Sequence, residues 1–84
     1  KDLKRIEDPI EKIKQVSGYT YTRIDTGHRQ TGVLAQELEK ILPEAVQTDA
    51  NGDKSVAYGN VIGLLIECIK DQQKQIDELR SLIK

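Results

Sequence analysis

Apolar residues recur along this chain at two spacings. From residue 60 onward they come every three or four positions, the repeat of one helix face, whereas between 19 and 58 they alternate in short runs separated by polar turns. The first change of pattern falls early. The stretch EDPIEKIKQVSG predicts a short helix, with Asp8 as N-cap, Pro9 at the first helical position, Glu11 completing a capping box and Gly18 placed to end it. Leu3 and Ile6 continue the apolar spacing upstream, but Pro9 would break a helix running through it, so residues 1 to 7 are either extended or a separate turn. YTYTRI, residues 19 to 24, alternates as a half-buried strand does, and Asp25, Thr26 and Gly27 supply a turn before a second extended stretch, Arg29 to Val33. Leu34, Leu38 and Ile41 then fall at helical spacing, so AQELEKIL is a short amphipathic helix stopped by Pro43. A second hairpin has arms EAVQT and KSVAY around the polar turn DANGD, which carries the Asn51-Gly52 turn signal. Asn60 is the expected N-cap of a helix running to the end.

That last helix reads in heptads. With Ile62 at position a, the series Ile62, Leu65, Ile69, Gln72, Ile76, Leu79, Ile83 occupies a and d positions without a slip. Lys70, Asp71, Lys74, Asp77, Glu78 and Lys84 all fall at b, c or f, where they stay hydrated. The flanking e and g positions hold Ile66, Cys68, Gln73, Gln75, Arg80 and Leu82, a wider and less charged seam than two helices bury. Ile at a with Leu at d leans by itself toward two strands. The seam width, together with a polar Gln72 able to set register, favours three. In the first half of the helix Val61, Leu64, Ile66 and Cys68 add apolar surface, and that half is expected to dock on the preceding unit. The alternative for the whole helix is to fold back on its own hairpins. The expected architecture is α+β: a small helix-hairpin-helix-hairpin unit over residues 1–60, continuous with a C-terminal helix over 61–84 that forms a trimeric coiled coil.

Size and composition sharpen this expectation. A chain of 84 residues hides only about 60% of its extended surface on folding, so its stability is marginal and outside help is expected. One cysteine, Cys68, and one histidine, His28, build neither a disulfide framework nor a zinc site within the chain, which leaves oligomerisation. There is no Phe, Trp or Met, so Ile, Leu and Val carry the packing. A net charge of −1 gives no basic footprint for nucleic acid or anionic lipid. The longest apolar run, VIGLLIECI, is too short to span a bilayer, and the start KDLKRIEDP lacks a signal-peptide apolar region. A soluble chain without nucleic-acid or membrane partners is expected, the lone thiol fitting an intracellular origin.

Candidate chemistry is sparse. The hydroxyls of Ser17, Ser55 and Ser81 and the thiol of Cys68 have only His28, in an expected turn, as a base. Cys68 reads as a packed thiol, and DANGD as a turn rather than a calcium loop, since the further ligands are missing at the required spacing. No phosphate loop or HExxH motif occurs, and no cofactor is expected.

The order of motifs carries more. Gly32, Ala35, Gln36 and Glu37 form a G-x-x-A-Q-E block; L-P-E-A-V follows at 42 to 46; and Ser55, Val56 and Tyr58 form an S-V-x-Y leading into an apolar helix. In this order they resemble the C-terminal intramolecular chaperone domain of phage endosialidases, also found at the ends of phage tail spikes and tail fibres. The resemblance runs from about Leu3 through the final helix. It implies a domain that trimerises, holds three chains in register while an upstream β-rich shaft folds, and is then released by self-cleavage. Its expected partners are its own copies and the shaft of the same polypeptide, in the cytoplasm of the infected bacterium, with the domain absent from the mature virion. The family's self-cleavage uses a Ser-Asp motif with a Lys a few residues on, and by alignment both precede Lys1. No catalytic residue is therefore transferred, and this chain is expected not to cleave. Alternatives are a region whose main use is autoproteolysis, or an oligomerisation module of a cellular protein, since similar domains occur in some membrane-bound transcription factors.

Overall fold

The computed structural model describes residues 1–83. In chain order its elements are α1 (Pro9–Ile13), β1 (Gly18–Thr22), β2 (Arg29–Val33), α2 (Ala35–Ile41), a 3₁₀ turn (Pro43–Ala45), β3 (Val46–Thr48), β4 (Lys54–Val56) and α3 (Tyr58–Leu82). β1 and β2 pair antiparallel from Gly18 opposite Val33 to Thr22 opposite Arg29, and β3 pairs with β4 from Val46 opposite Val56 to Thr48 opposite Lys54. The two hairpins stay separate two-stranded sheets. Helix, hairpin, helix, hairpin and long helix thus follow in the expected order, and the class is mixed helix and strand.

A small core joins these pieces. Leu38 and Ile41 of α2, Leu42, Ala45 of the 3₁₀ turn, and Leu64 and Cys68 of α3 are buried together. Ile13, Val16, Val33, Val46, Val56 and Val61 pack around them, one or more from nearly every element. Ile6 also reaches this cluster and lies against α3 beside Gly63, whereas Leu3 is fully solvated; residues 1 to 6 have no regular structure. Backbone closure of the unit comes from the Ala57 N–H, which donates to the Ala45 carbonyl at 2.8 Å and brings the entry of α3 beside the 3₁₀ turn.

Several local expectations are corrected. Asp8 does stand before α1, but with φ 48° and ψ 51° its side chain makes no cap, and Glu11 pairs with Lys14 at 3.2 Å instead of reaching back. α1 also ends early: the Gln15 and Val16 amides bond back only three residues, to Lys12 and Ile13, tightening the chain so that Val16 meets the core. Gly18 consequently opens β1 instead of ending the helix. Pro43 stops α2 but starts the 3₁₀ turn, which takes Glu44 and Ala45 out of the expected strand. The other arm loses Ala57 and Tyr58, because α3 begins at Tyr58 with Ala57 as its N-cap. Asn60 therefore lies inside the first turn, where its Nδ2 donates to the Glu44 carbonyl at 3.1 Å. It ties α3 to the 3₁₀ turn rather than capping a helix.

The expectation of a half-buried first hairpin also fails. All of β1 is exposed, Tyr19 by 38% and Tyr21 by 40%, and among the described residues it is Val33, at the end of β2, that joins the hairpin to the core. Its register is held by polar contacts at the surface: Arg29 donates to the hydroxyls of Thr22 at 3.0 Å and Thr20 at 2.9 Å, and Arg23 binds Asp25 with two hydrogen bonds of 2.9 and 2.7 Å. The second hairpin turn is tighter, with Asp49 Oδ1 accepting from the Asn51 and Asp53 amides and Gly52 at φ 83°.

Candidate functional site

Two surfaces gather the residues singled out by the sequence. The first is the length of α3. Its docked stripe runs through Val61, Leu64 and Cys68 and ends near Asp71, while Ile62, Leu65, Ile69 and Gln72 each follow one residue later. One residue is about 100° of rotation on a helix, so the heptad stripe points beside the globular unit and not into it. All seven heptad positions are exposed: Ile62 by 57%, Ile69 by 65% and Leu79 by 60%, with Leu65, Gln72, Ile76 and Ile83 likewise open. Ile66 was expected to dock with its neighbours. Lying about 200° from Leu64 on the helix, it is half exposed and extends the open stripe instead.

Beyond Asp71 the helix leaves the globular unit altogether. Residues 72 to 83 are exposed on every side, over about 18 Å of axis. Such a segment lacks the tertiary packing that supplies most helix stability. Its local links are few: Gln73 Nε2 donates to Asp77 Oδ1 at 3.0 Å, and just before the segment Lys70 pairs with Glu67 at 3.4 Å. Gln72 takes part in no hydrogen bond of this kind among the described residues. Lys84, assigned to an outer position by the heptad, lies outside the described residues.

The second surface is an open groove of about 480 Å³ between the first hairpin, the start of α2 and the second hairpin. Gly32, Ala35, Gln36, Ser55, Val56 and Tyr58 all line it, so motif residues from four separate elements, β2, α2, β4 and α3, converge on one place. Gly32 is needed for that approach. A methyl group added there would sit 2.5 Å from the Tyr58 hydroxyl, so any larger residue must push the half-exposed Tyr58 ring aside. Glu37, the remaining motif residue, works behind the groove: Oε1 accepts from the Ser17 amide at 3.3 Å and Oε2 from the Tyr19 hydroxyl at 3.0 Å, which anchors β1 to α2.

The sequence reading missed the other wall. Tyr19 and Tyr21 face the groove, and the signal was present in their i, i+2 spacing, which sets both on one side of the strand. Also missed was Lys54, which pairs with Glu39 at 3.0 Å and holds the second hairpin against α2. The nucleophile candidates do not assemble. His28 is exposed in the first hairpin turn, and Ser17, Ser55 and Ser81 lie on different elements. Cys68 is buried, its Sγ 3.2 Å from the Pro9 carbonyl, and burial first and the nearby Asp71 second push its pKa up, away from the thiolate.

These motifs have relatives. The family described as chaperone of endosialidase matches residues 1–47, which carry α1, the first hairpin, α2 and the 3₁₀ turn. The chain belongs to the chaperone-of-endosialidase family. Along its full length it is 31% identical to the long tail fiber protein Gp37 of Salmonella phage S16. Over 84% of the chain it is 36% identical to the protein of that name from Escherichia phage AR1, and over 86% it is 32% identical to that of Enterobacteria phage M1. It spans 13%, 7% and 32% of these relatives respectively. The G-x-x-A-Q-E block thus sits in the family's matched region, with Gly32 on β2 and Ala35 and Gln36 on the α2 wall of the groove.

Proposed function

We propose that this chain is the intramolecular chaperone of a phage tail fibre, acting as a parallel homotrimer joined along α3. The observation that carries the reading is the open stripe of Ile62, Leu65, Ile69, Ile76, Leu79 and Ile83, about 100° from the face that docks on the unit. Burying such side chains from half-exposed to hidden is worth roughly 5–9 kcal/mol per chain before association costs, enough to drive assembly at ordinary concentrations. Family membership and the tail fiber relatives support the setting: an upstream shaft of the same polypeptide whose three chains must start level. Bringing three chain ends together raises their local concentration and fixes their stagger before slow, non-local β pairing begins. The chaperone acts in the infected bacterial cytoplasm and leaves by the self-cleavage that the family resemblance implies.

Sedimentation equilibrium over a range of concentrations tests the reading. A threefold mass is expected, and Ile76→Asp should reduce it to monomer, since three carboxylates would be buried together without partners. A chain that stays monomeric at high concentration, or an Ile76→Asp variant that assembles normally, would sink the trimer.

A further inference from the structure

The seam positions read Ile62, Leu65, Ile69, Gln72, Ile76, Leu79, Ile83, which is the same pattern in either direction about Gln72. Its apolar members alone therefore discriminate poorly between parallel and antiparallel helices, or between aligned and slipped ones. Gln72 is exposed and has no hydrogen-bond partner among the described residues, so its amide is free to pair between chains. We infer that Gln72 is the specificity determinant that permits only the parallel, in-register assembly. The inference rests on the trimeric reading of α3 above.

Each wrong alignment meets a different obstacle. In parallel helices a packs in layers with a and d with d, so a slip of one heptad sets Gln72 against Leu65 or Leu79 of a neighbour. A slip of two heptads sets Gln72 against Tyr58 and keeps only three of the seven layers, those of 62, 65 and 69 against 76, 79 and 83. In antiparallel helices d faces a, and every seam a position, 62, 69, 76 and 83, is isoleucine. Gln72 then always meets an aliphatic side chain and loses its water without gaining a partner. Only aligned parallel helices stack the amides with one another, where each can donate to the next around the axis.

The alignment has a consequence for what stands upstream. A slip of one heptad displaces one globular unit by about 10.5 Å along the axis. That is about three residues of an extended strand, enough to misalign every rung of an attached β-structure. A polar layer that weakens the seam in exchange for a single alignment fits a registering role.

The whole chain tests this, with Leu79→Cys as reporter; the native Cys68 is buried on the docked side and does not compete. In-register trimers should give a rapid disulfide between residues 79 of neighbouring chains and one trimeric species by sedimentation. Adding Gln72→Leu should tighten association by about tenfold or more, because the buried amide is gone. The same change should cut the 79-to-79 disulfide yield at least twofold and spread the sedimenting species, while Gln72→Asn keeps both near the parent. Far-UV circular dichroism checks that each variant stays helical. A Gln72→Leu variant with unchanged disulfide yield and a single trimer overturns the role of Gln72 and leaves the trimer standing. A parent chain that is monomeric overturns both.

Discussion

Cys68 shows how a residue's neighbours decide its chemistry. The thiol sits in the core between α3 and α1, its Sγ against the Pro9 carbonyl, and its pKa is raised above the ordinary 9.0, by burial first and by Asp71 second. Because the folded pKa lies above the unfolded one, the neutral thiol's contribution to stability is complete below about pH 9 and is lost as pH rises through the folded value. The parent chain should therefore lose urea resistance as pH rises above about 9 more steeply than Cys68→Ala. Parallel pH profiles for the two would remove the thiol from the account. The packing of this side chain was legible, since a cysteine among Leu64, Leu65 and Ile69 on a helix reads as apolar. Asp8 and Asn60 were not. Both are good cap residues by type, but Asp8 adopts a left-handed backbone and Asn60 finds the Glu44 carbonyl, 16 residues away, which no local pattern encodes.

At the scale of elements, legibility followed the source of each element's stability. α2 and α3 were readable as helices from their apolar periodicity, which packs α2 and the Val61, Leu64 and Cys68 stripe of α3 but leaves the heptad stripe open. The first hairpin was readable in position but not in extent or burial: its first arm ends at Thr22, leaving Arg23 and Ile24 to the connection, and alternation tells which residues share a face and not whether anything covers it. A two-stranded hairpin without a covering layer is only marginally stable, and here it rests on Arg29 with two threonines, the Arg23–Asp25 pair and the Glu37 tether. The motif groove was invisible in one dimension, since it needs the close approach of Gly32 to Tyr58 across 26 residues of chain. Amide hydrogen exchange should rank these elements. Thr20, Tyr21, Gln30 and Thr31 should exchange at least about a hundredfold faster than Leu42 and Leu64, whose bonds open only with the core. Equal protection in β1 and α2 would mean that the hairpin is covered in solution.

For the molecule as a whole, the arrangement of apolar surface argues that one chain is not the stable unit. Four large aliphatic side chains are buried, Leu38, Ile41, Leu42 and Leu64, while six lie open along the α3 stripe. The radius of gyration is 16.3 Å, against about 12 Å for a compact domain of this length, because α3 extends past the core and the long dimension reaches 55 Å. If trimer formation and folding are one process, melting must depend on concentration. A trimer of 252 residues in total unfolds with an enthalpy of about 176 kcal/mol near 60 °C, so Tm should rise by about 5–6 °C for each tenfold increase in chain concentration. Ile76→Asp should remove that dependence and leave a lower, fixed Tm belonging to the core around Leu38 and Leu64. A parent chain whose Tm does not move with concentration would place its stability inside the single chain, and the open stripe on α3 would then need another partner.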